Sequence, residues 1–327
     1  MRIATFNLEN LGGDKPASPL EERLLILRPQ LERLHADILC LQEVNAVHRN
    51  SGKNRKTVAL DKLLQGTQYE SFHRTISRKA DGSDLADRHN LVILSRWPHT
   101  KSRQYFHDKV GPPIHAYLTA RPPRTGAASI FWDRPILYAI VETTSGPVHV
   151  LNLHLRAPLA SFIPGQKQSP FVWESVSGWA EGYYISAIKR SGQALEARRI
   201  VDEIFDKEPN AKIVVSGDFN VEIREAPFKI LAGDIEDTCN GRLASRTMTA
   251  IEKLAPDHRR FSVIHAGRKI MLDHILVSRS LLATYRDIEI HNEALGDELV
   301  AYTTVNASPE TYHAPVVAIF EPNGINI

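Results

Sequence analysis

Short apolar runs alternate along this chain with stretches of helical periodicity, and most of the runs end in a polar residue. The run at 213–215 is β-branched and lies between Lys212 and Gly217, which is typical of a strand buried on both faces. The same pattern predicts strands at 3–6, 37–41, 90–95 and 316–320, and hairpins that join 135–141 to 148–155 and 261–265 to 270–277.

The spacing of leucine and isoleucine predicts helices at 21–34, 58–64 and 193–205. Pro29 interrupts the first of these, so we expect a kink or a new helix there. The polar segment 77–89 is predicted to be a mobile loop. The segment 101–134 is rich in proline, glycine and basic residues, and we expect mostly loop with an edge strand near 114–118.

The central run leads directly into Gly217-Asp218-Phe219-Asn220. Gly217 can adopt backbone conformations closed to other residues, so the chain can turn where the strand ends. Period-two geometry places Asp218 and Asn220 on one side and directs the Phe219 ring towards the core. A carboxylate and a carboxamide placed in this way can hold water, a metal ion or a phosphate. Asp and Asn are also common in ordinary polar turns, so these residues alone leave both interpretations open.

Composition narrows the class of protein. The 327 residues carry a formal net charge of +2, which neither requires nor excludes a nucleic-acid partner. The two cysteines do not make a disulfide framework, and Cys40 lies in an apolar run that predicts a buried thiol. Asn7 and Glu9 come too early for a signal-peptide core, and no apolar run approaches membrane-spanning length. We therefore expect a cytoplasmic protein with no integral membrane segment. The length allows either one domain or two, and we expect a monomer.

Isolated polar residues lie in or just beyond the predicted strands, where burial is costly unless the side chain is paired or used. They are Asn7, Glu43, Asn152, His154, Asp218, Asn220, Asp273 and His313. Their shared position predicts one site at the edge of a sheet. Carboxylates suit Mg²⁺, and histidines beside a carboxylate suit acid–base chemistry or the stabilisation of a charged transition state. The sequence has no Cys/His zinc spacing, Gly-x-Ser-x-Gly elbow or Walker A loop.

Seven short segments carry these residues across nearly the whole chain: Thr5-Phe-Asn7, Leu41-Gln-Glu43, Ile93-Leu-Ser-Arg96, Asn152-Leu-His154, Ser216-Gly-Asp-Phe-Asn220, Leu272-Asp-His-Ile275 and Tyr312-His-Ala-Pro315. In this order they resemble the motifs of the endonuclease/exonuclease/phosphatase superfamily of metal-dependent phosphoesterases. The resemblance implies an α/β fold, namely a four-layer α/β/β/α sandwich of two mixed, mainly antiparallel sheets flanked by helices, as a single domain over residues 1–327. It also implies hydrolysis of a phosphoester by in-line attack of water.

The resemblance implies a metal site and a substrate site. Glu43 is the expected principal ligand of Mg²⁺ or Mn²⁺, with Asn7 and Glu9 nearby. Asn152 is expected to contact the substrate. Arg156, which closely follows His154, can clamp a phosphate and is also expected to contact the substrate, although its position equally allows an ordinary solvated loop arginine.

The resemblance also implies catalytic roles for His154, Asp218, Asn220, Asp273 and His313. Asp218 is expected to orient or deprotonate the attacking water, and Asn220 to hold water or phosphate. Asp273 is expected to pair with His313. The two histidines are expected to donate hydrogen bonds to the phosphoryl oxygens as charge develops.

One position departs from the family pattern. The family reads Ser-Asp-His before the final strand, whereas this chain reads Thr311-Tyr312-His313. A tyrosine is neutral at pH 7 and does not replace a metal-binding carboxylate. We therefore expect one divalent ion rather than two, and a weakened enzyme is an alternative.

An aromatic-rich insertion is predicted at about 158–190, with rings at Phe162, Phe171, Trp173, Trp179, Tyr183 and Tyr184. These rings can stack on nucleic-acid bases, contact a lipid acyl region or cover a sheet edge as ordinary core residues. We favour the covering role.

Three functions are compatible with the sequence. A nuclease acting on DNA or RNA is favoured by the loop arginines and lysines. The second is a phosphatase or phosphodiesterase acting on a lipid or a small phosphorylated molecule. The third is a non-catalytic binding protein on a decayed enzyme scaffold, which the Tyr312 departure alone supports.

Overall fold

Two six-stranded sheets form the centre of the protein, for which a computed structural model describes residues 1–13, 18–48, 54–169, 172–299 and 309–321. The first sheet contains β1 (Arg2–Leu11), β2 (Ile38–Val44), β5 (His73–Ile76), β6 (Asn90–Ser95), β17 (Tyr285–Ile290) and β18 (Val316–Phe320). The second contains β7 (His99–Tyr105), β10 (Ile136–Thr143), β11 (Gly146–His154), β12 (Lys212–Asp218), β13 (Thr249–Ala250) and β16 (Asp273–Val277).

The remaining described strands are short ribbons: β3 (Val47–His48) with β4 (Arg55–Lys56), β8 (Ile114–His115) with β9 (Ala128–Ser129), and β14 (Val263–His265) with β15 (Arg268–Ile270). The α-helices are α1 (Leu20–Arg33), α2 (Val58–Leu64), α3 (Val176–Lys207), α4 (Ala226–Ala232), α5 (Ile235–Thr238) and α6 (Arg279–Leu282). Single turns of 3₁₀-helix lie at Gln68–Ser71, Gly241–Arg246, Ile251–Leu254 and Asp257–Arg259.

The strand order is β17-β18-β1-β2-β6-β5 in the first sheet and β13-β16-β12-β11-β10-β7 in the second. Within these sheets β1 runs parallel to β2 and β11 runs parallel to β12, while the other neighbouring pairs are antiparallel. The prediction of two mixed, mainly antiparallel sheets is therefore confirmed.

Three hydrophobic cores separate four layers. Leucines of α1 and α2 pack on the outer face of the first sheet. The facing sides of the two sheets enclose a second core that contains Ile3, Cys40, Ile93, Val150 and Val214, so the predicted burial of the Cys40 thiol is confirmed. Residues of α3 and α4 pack on the outer face of the second sheet. The α/β/β/α sandwich follows because each sheet is apolar on both faces. Helices cover the outer face of each sheet, and the other sheet covers its inner face.

Several element boundaries differ from the prediction. Helix α1 continues without a break through Pro29 because Leu27 and Leu31, on either side of it, are fully buried against the first sheet. Part of the segment predicted as loop is strand β7, which was missed because its residues are mostly polar and exposed, as expected at a sheet edge. The predicted strand 270–277 is divided, since β15 pairs with β14 whereas β16 joins the second sheet.

The largest difference concerns α3, which begins at Val176 and not near residue 193. Ser175 caps it by accepting a hydrogen bond from the Gly178 backbone N–H at 3.0 Å. The first turns contain two glycines and several aromatic residues, which have low helix propensity, so local sequence did not predict a helix there. None of the helices in the described ranges combines the length and the apolar character needed to cross a membrane.

Gly217 lies where β12 turns into the polar edge, with φ of +142°. A Cβ on this residue would lie 1.9 Å from the Leu153 carbonyl oxygen of the neighbouring strand. We expect Gly217→Ala to lower the free energy of unfolding by about 3 kcal/mol or more, because backbone strain adds to overpacking.

Gly146→Ala is the matched control for this substitution. Gly146 also has a positive φ, +95°, but a Cβ there meets no atom within 4 Å, so we expect a loss of only about 1–2 kcal/mol. Urea denaturation of both variants measures the difference. Equal losses would show that the contact with Leu153 contributes nothing.

Candidate active site

The predicted polar residues meet at one edge of the two sheets because two parallel strand pairs end there. Strands β1 and β2 run parallel and deliver Asn7 and Glu43. Strands β11 and β12 run parallel in the second sheet and place His154 directly opposite Asp218. Carboxyl ends of parallel strands share an edge, so these four side chains converge although they lie far apart in the sequence.

Two antiparallel neighbours complete the cluster. Strand β16 begins at Asp273, whose register partner in β12 is Asp218. Strand β18 pairs with β1 so that Val316 lies opposite Thr5, and the residues before it, including His313, reach the same edge. The sheet pairing therefore positions both members of the predicted Asp–His pair.

Asp218 is almost completely buried and its carboxylate is held from several sides. Oδ2 accepts hydrogen bonds from Asn7 Nδ2 at 3.0 Å and from Asn220 Nδ2 at 3.1 Å, and Oδ1 accepts one from the Asn220 backbone N–H at 2.9 Å. His154 Nε2 lies 3.3 Å from Oδ2. Burial raises the pKa of Asp218 although His313 works in the opposite direction. The carboxylate is immobilised in a state poised to accept a proton.

His313 is paired with Asp273, as the resemblance implies. His313 Nδ1 donates to Asp273 Oδ2 at 2.8 Å, and the other ring nitrogen lies 4.0 Å from Asp218 Oδ2. Burial alone would lower the pKa of His313, but the carboxylates of Asp273 and Asp218 outweigh it and raise the pKa well above its usual value. A protonated imidazole is therefore favoured at this position.

His154 has the opposite electrostatic character. It is buried, and its Nε2 lies 3.7 Å from Glu43 Oε1. Burial, together with the nearby charge of Arg134, holds the pKa of His154 well below its usual value. The cluster thus contains one histidine favoured as neutral and another favoured as charged.

Glu43 and Glu9 lie on the β1–β2 side of the cluster. Glu43 Oε2 accepts the Asn10 backbone N–H at 2.9 Å, and its Oε1 lies 3.5 Å from Asn7 Nδ2. Glu9 Oε2 accepts the Tyr312 backbone N–H at 2.9 Å, and burial raises the pKa of Glu9. The Glu9 carboxylate therefore lies against the backbone of Tyr312, the residue that stands where the family motif has an aspartate.

Strained backbone is concentrated at this edge. Five non-glycine residues there have φ between +44° and +59°, namely Glu9, Asn10, Glu43, His89 and Asn220. Left-handed backbone costs free energy in these residue types and persists where the surrounding structure enforces it, as at functional sites. The bends turn the side chains of Glu43 and Asn220 across the strand ends.

The sequence did not single out His89 and Arg134, which the structure adds to the cluster. Arg134 Nη2 donates to His89 Nδ1 at 2.8 Å, so His89 Nε2 carries a proton and donates to Asn10 Oδ1 at 2.8 Å. His89 Nε2 also lies 3.5 Å from Glu43 Oε2. Both residues come just before strands, β6 and β10, whereas the sequence analysis looked for polar residues in predicted strands or just beyond them. A search for polar residues at the starts of predicted strands would have found both residues.

Arg134 has unused donors. Its Nε and Nη1 are shielded from solvent and have no hydrogen-bond partner among the described residues. Burial lowers the pKa of Arg134, while the carboxylates of Glu43, Asp133 and Asp218 oppose this effect. Buried guanidinium N–H groups without a protein partner call for an acceptor that the described residues do not supply, such as an ordered water or an anion.

Two further arginines border the cluster. Arg190, on α3, is buried and donates to the Asn220 carbonyl oxygen at 3.1 Å. Arg156, predicted to contact substrate, is half-buried and forms an ion pair with Asp133 at 3.1 Å, which also binds Lys189 at 2.6 Å. This side of the site carries more positive than negative charge.

Asn152 occupies a different position from the one predicted. It is fully buried, and its Nδ2 donates to the carbonyl oxygens of Leu41 and Val92 in the first sheet at 3.0 and 2.9 Å. Its Oδ1 accepts from Gln42 Nε2 at 2.8 Å. Because its polar groups are used to join the two sheets, this placement argues against the predicted substrate contact.

The oxygen-rich donors of this edge fit a hard divalent cation. Asp218, Asp273 and His313 each offer a ligand atom, and these atoms all lie within 4.8 Å of one another. Asp273 Oδ1 is shielded from solvent and lacks a hydrogen-bond partner within the described ranges. Glu43, Glu9 and Asn7 supply further oxygens beside them. Crowded, desolvated carboxylates repel one another, and a bound cation relieves that repulsion.

A buried ion pair supports the site from behind. His274 and Glu252 are both fully buried, and the Glu252 carboxylate accepts from His274 Nδ1. His274 Nε2 donates to the Val221 carbonyl oxygen at 2.8 Å. Burial alone would lower the pKa of His274, but Glu252 outweighs it and raises the pKa. The pair anchors the turn that follows Asn220.

The family model described as "Endonuclease/Exonuclease/phosphatase family" matches residues 4–297. The comparison with curated proteins gave no match. Similar solved structures include the 3'-5' exonuclease NExo of Neisseria meningitidis, which is 19% identical with a TM-score of 0.52, covering 98% of this chain and 100% of that chain. Truncated TDP2 of Caenorhabditis elegans is 15% identical with a TM-score of 0.54, covering 98% and 97%. At these identities the likeness shows a shared fold.

Proposed function

The chain belongs to the endonuclease/exonuclease/phosphatase family, and we propose that it hydrolyses phosphodiester bonds of DNA or RNA with Mg²⁺ or Mn²⁺ as cofactor. The observation that carries the proposal is the immobilised Asp218 carboxylate, which lies between His154 and the Asp273–His313 pair and near the unpartnered donors of Arg134. The similar structure from Neisseria is a 3'-5' exonuclease, which favours a nucleic-acid substrate.

Glu43, Glu9 and Asn7 would hold the cation. When bound, a divalent ion neutralises phosphate charge and stabilises the leaving oxygen. The carboxylate of Glu9 beside the Tyr312 backbone supplies negative charge at the position where the family aspartate is missing. This favours a competent enzyme over a decayed scaffold.

Asp218 orients the attacking water and takes its proton, because burial and the fixed hydrogen bonds give it a raised pKa and one orientation. His313 contributes positive charge to the developing pentacovalent phosphate, and Asp273 keeps its ring oriented. Asn220 Nδ2 already donates to Asp218 Oδ2 and to the Leu155 carbonyl oxygen, so Asn220 holds the attacking water through its Oδ1 acceptor. Each role belongs to a residue that the sheet edge already holds in place.

Arg134 donates its free N–H groups to non-bridging phosphate oxygens. We expect Arg134→Lys to lower turnover about 100-fold, because a lysine keeps the charge but loses the planar pair of donors. Arg103→Lys is the control, since Arg103 lies on the edge strand β7 and pairs with Asp108 outside the cluster. Equal turnover in both variants would remove Arg134 from the mechanism.

The proposed function is tested by turnover of single-stranded DNA, duplex DNA, RNA and bis-p-nitrophenyl phosphate in Mg²⁺, in Mn²⁺ and in chelator. We expect metal-dependent cleavage of a nucleic acid. Activity on the small diester alone would support phosphodiester hydrolysis and exclude a nuclease function. No turnover of any of these substrates in either metal would contradict the proposal.

A further inference from the structure

Most of the rings in the aromatic insertion face solvent, which corrects the expectation that they form ordinary core. Phe162, Trp179, Tyr183 and Tyr184 are 64%, 45%, 39% and 56% exposed. Trp173 is half-buried and packs in a small satellite core, whereas Phe171 lies outside the described residues. Large exposed aromatic residues grouped on one element mark a binding surface more often than chance exposure does.

The inner face of α3 is already covered, so the exposed rings have no place in the core. Gly182 lets the chain approach closely, because a Cβ there would lie 2.4 Å from the Ser161 carbonyl oxygen and 2.9 Å from the Trp173 ring. Ser161 N–H donates to the Gly182 carbonyl oxygen at 2.8 Å. The backbone of Ser161, the residue before Phe162, is therefore hydrogen-bonded to the residue before Tyr183.

The rings on one side of α3 are in line with the active site. At about 100° per residue, Trp179, Tyr183 and Arg190 lie within about 40° of one another around the helix. Arg190 reaches Asn220 in the active site. At about 1.5 Å per residue, Tyr183 and Trp179 lie about 10 and about 16 Å further along the helix. Tyr184 lies on another side of the helix, where its ring contacts His115.

We propose that Phe162, Trp179 and Tyr183 form a stacking platform for a single-stranded nucleic acid that enters the active site. This inference rests on the proposed function. The Trp179 and Tyr183 rings have centroids 5.5 Å apart and lie 31° from coplanar, so they present an extended aromatic surface. Bases of any sequence stack on such surfaces.

The charges between the platform and the active site favour a polyanionic strand over a lipid surface or a second copy of this chain. Arg156, Lys189 and Arg190 lie along this path, and the carboxylate that pairs with the first two is Asp133. Arg190 is buried and adds its charge from beneath, while Arg156 and Lys189 face one carboxylate, so the path keeps a net positive charge for phosphates. The rings and the cations together form the combination that single-strand binding requires.

The adjacent tyrosines provide a matched test. We expect Tyr183→Ala to weaken binding of a fluorescent oligothymidylate about 5- to 150-fold in chelator, the range for loss of one stacking ring. Tyr184→Ala removes a ring that is even more exposed, from another side of the same helix, and is expected to leave binding unchanged. Trp179→Phe is expected to abolish most of the quenching of tryptophan emission by the strand. Equal binding by Tyr183→Ala and Tyr184→Ala would overturn the platform.

Hydrolysis of bis-p-nitrophenyl phosphate separates this inference from the proposed function. We expect Tyr183→Ala to hydrolyse this small diester at the wild-type rate, because the platform lies away from the reacting atoms. If the wild-type protein hydrolyses the diester and Tyr183→Ala binds the strand as well as wild type, the platform is refuted and the proposed phosphodiesterase chemistry still holds. If Tyr183→Ala binds the strand normally but no longer binds phosphatidylserine vesicles, the rings belong to a membrane-binding surface. If it binds the strand normally but loses a dimer seen on gel filtration, the rings belong to a contact with a second copy of the chain.

Discussion

Asp218→Asn is expected to lower turnover of a phosphodiester by about 1,000-fold while leaving the fold intact. The amide has nearly the same shape as the carboxylate but cannot take a proton from water, and general-base catalysis contributes about 100- to 10,000-fold. Asn7 Nδ2 and Asn220 Nδ2 still find an oxygen on the new side chain, and only the bond from the Asn220 backbone N–H is lost. Steady-state hydrolysis in Mn²⁺, with circular dichroism to confirm folding, measures the effect.

The control for this result is Asp257→Asn, which changes an exposed carboxylate in a surface turn. It removes the same charge and is expected to leave turnover within about 2-fold of wild type, since exposed charges contribute little. Folded Asp218→Asn with near-normal turnover would refute the role of Asp218. It would then point to Asp273 or Glu43 as the group that activates water.

Glu252→Gln is expected to lower the free energy of unfolding by about 3–5 kcal/mol, the cost of leaving a buried charge without its partner. The residue and His274 are fully buried, so water cannot replace the lost carboxylate. The turn that holds Asn220 depends on the bond from His274 to Val221, so we also expect a loss of turnover. Urea denaturation and diester hydrolysis on the same preparation measure both effects.

The pH dependence of this loss follows from the raised pKa of His274. A group whose pKa is raised on folding contributes its full stabilisation of the folded state at pH values below its unfolded pKa, which is about 6.5 for histidine. This stabilisation is lost as the pH rises through the folded pKa. The difference between wild type and Glu252→Gln should therefore be largest in mild acid. Glu321→Gln, which breaks the exposed pair with Arg286, is the control and should cost less than about 1 kcal/mol. A Glu252→Gln loss as small as that would show that the buried pair contributes little.

The ends of the central strands could be predicted from the sequence because each of these strands is an apolar run that stops at a polar residue. Asn7, Glu43, His154 and Asp218 were found in this way, and Asp273 was found as an isolated polar residue inside a predicted strand. The structure brings all of them to one edge. Edge strand β7 could not be predicted, because its residues are mostly polar and exposed. It is a strand because its backbone pairs with β10. The first turns of α3 were not readable either, since glycine and aromatic residues there weaken the helical signal.

The sequence by itself determined the strands, the polar residues at their ends and the family, because these depend on local periodicity and on short ordered motifs. Tertiary structure alone decided which residues touch. It brought Arg134 and His89 into the cluster, used Asn152 to join the sheets and placed the Glu9 carboxylate beside Tyr312. It also left the rings of α3 in solvent. Contacts between distant segments depend on sheet register and layer packing, which no local pattern encodes.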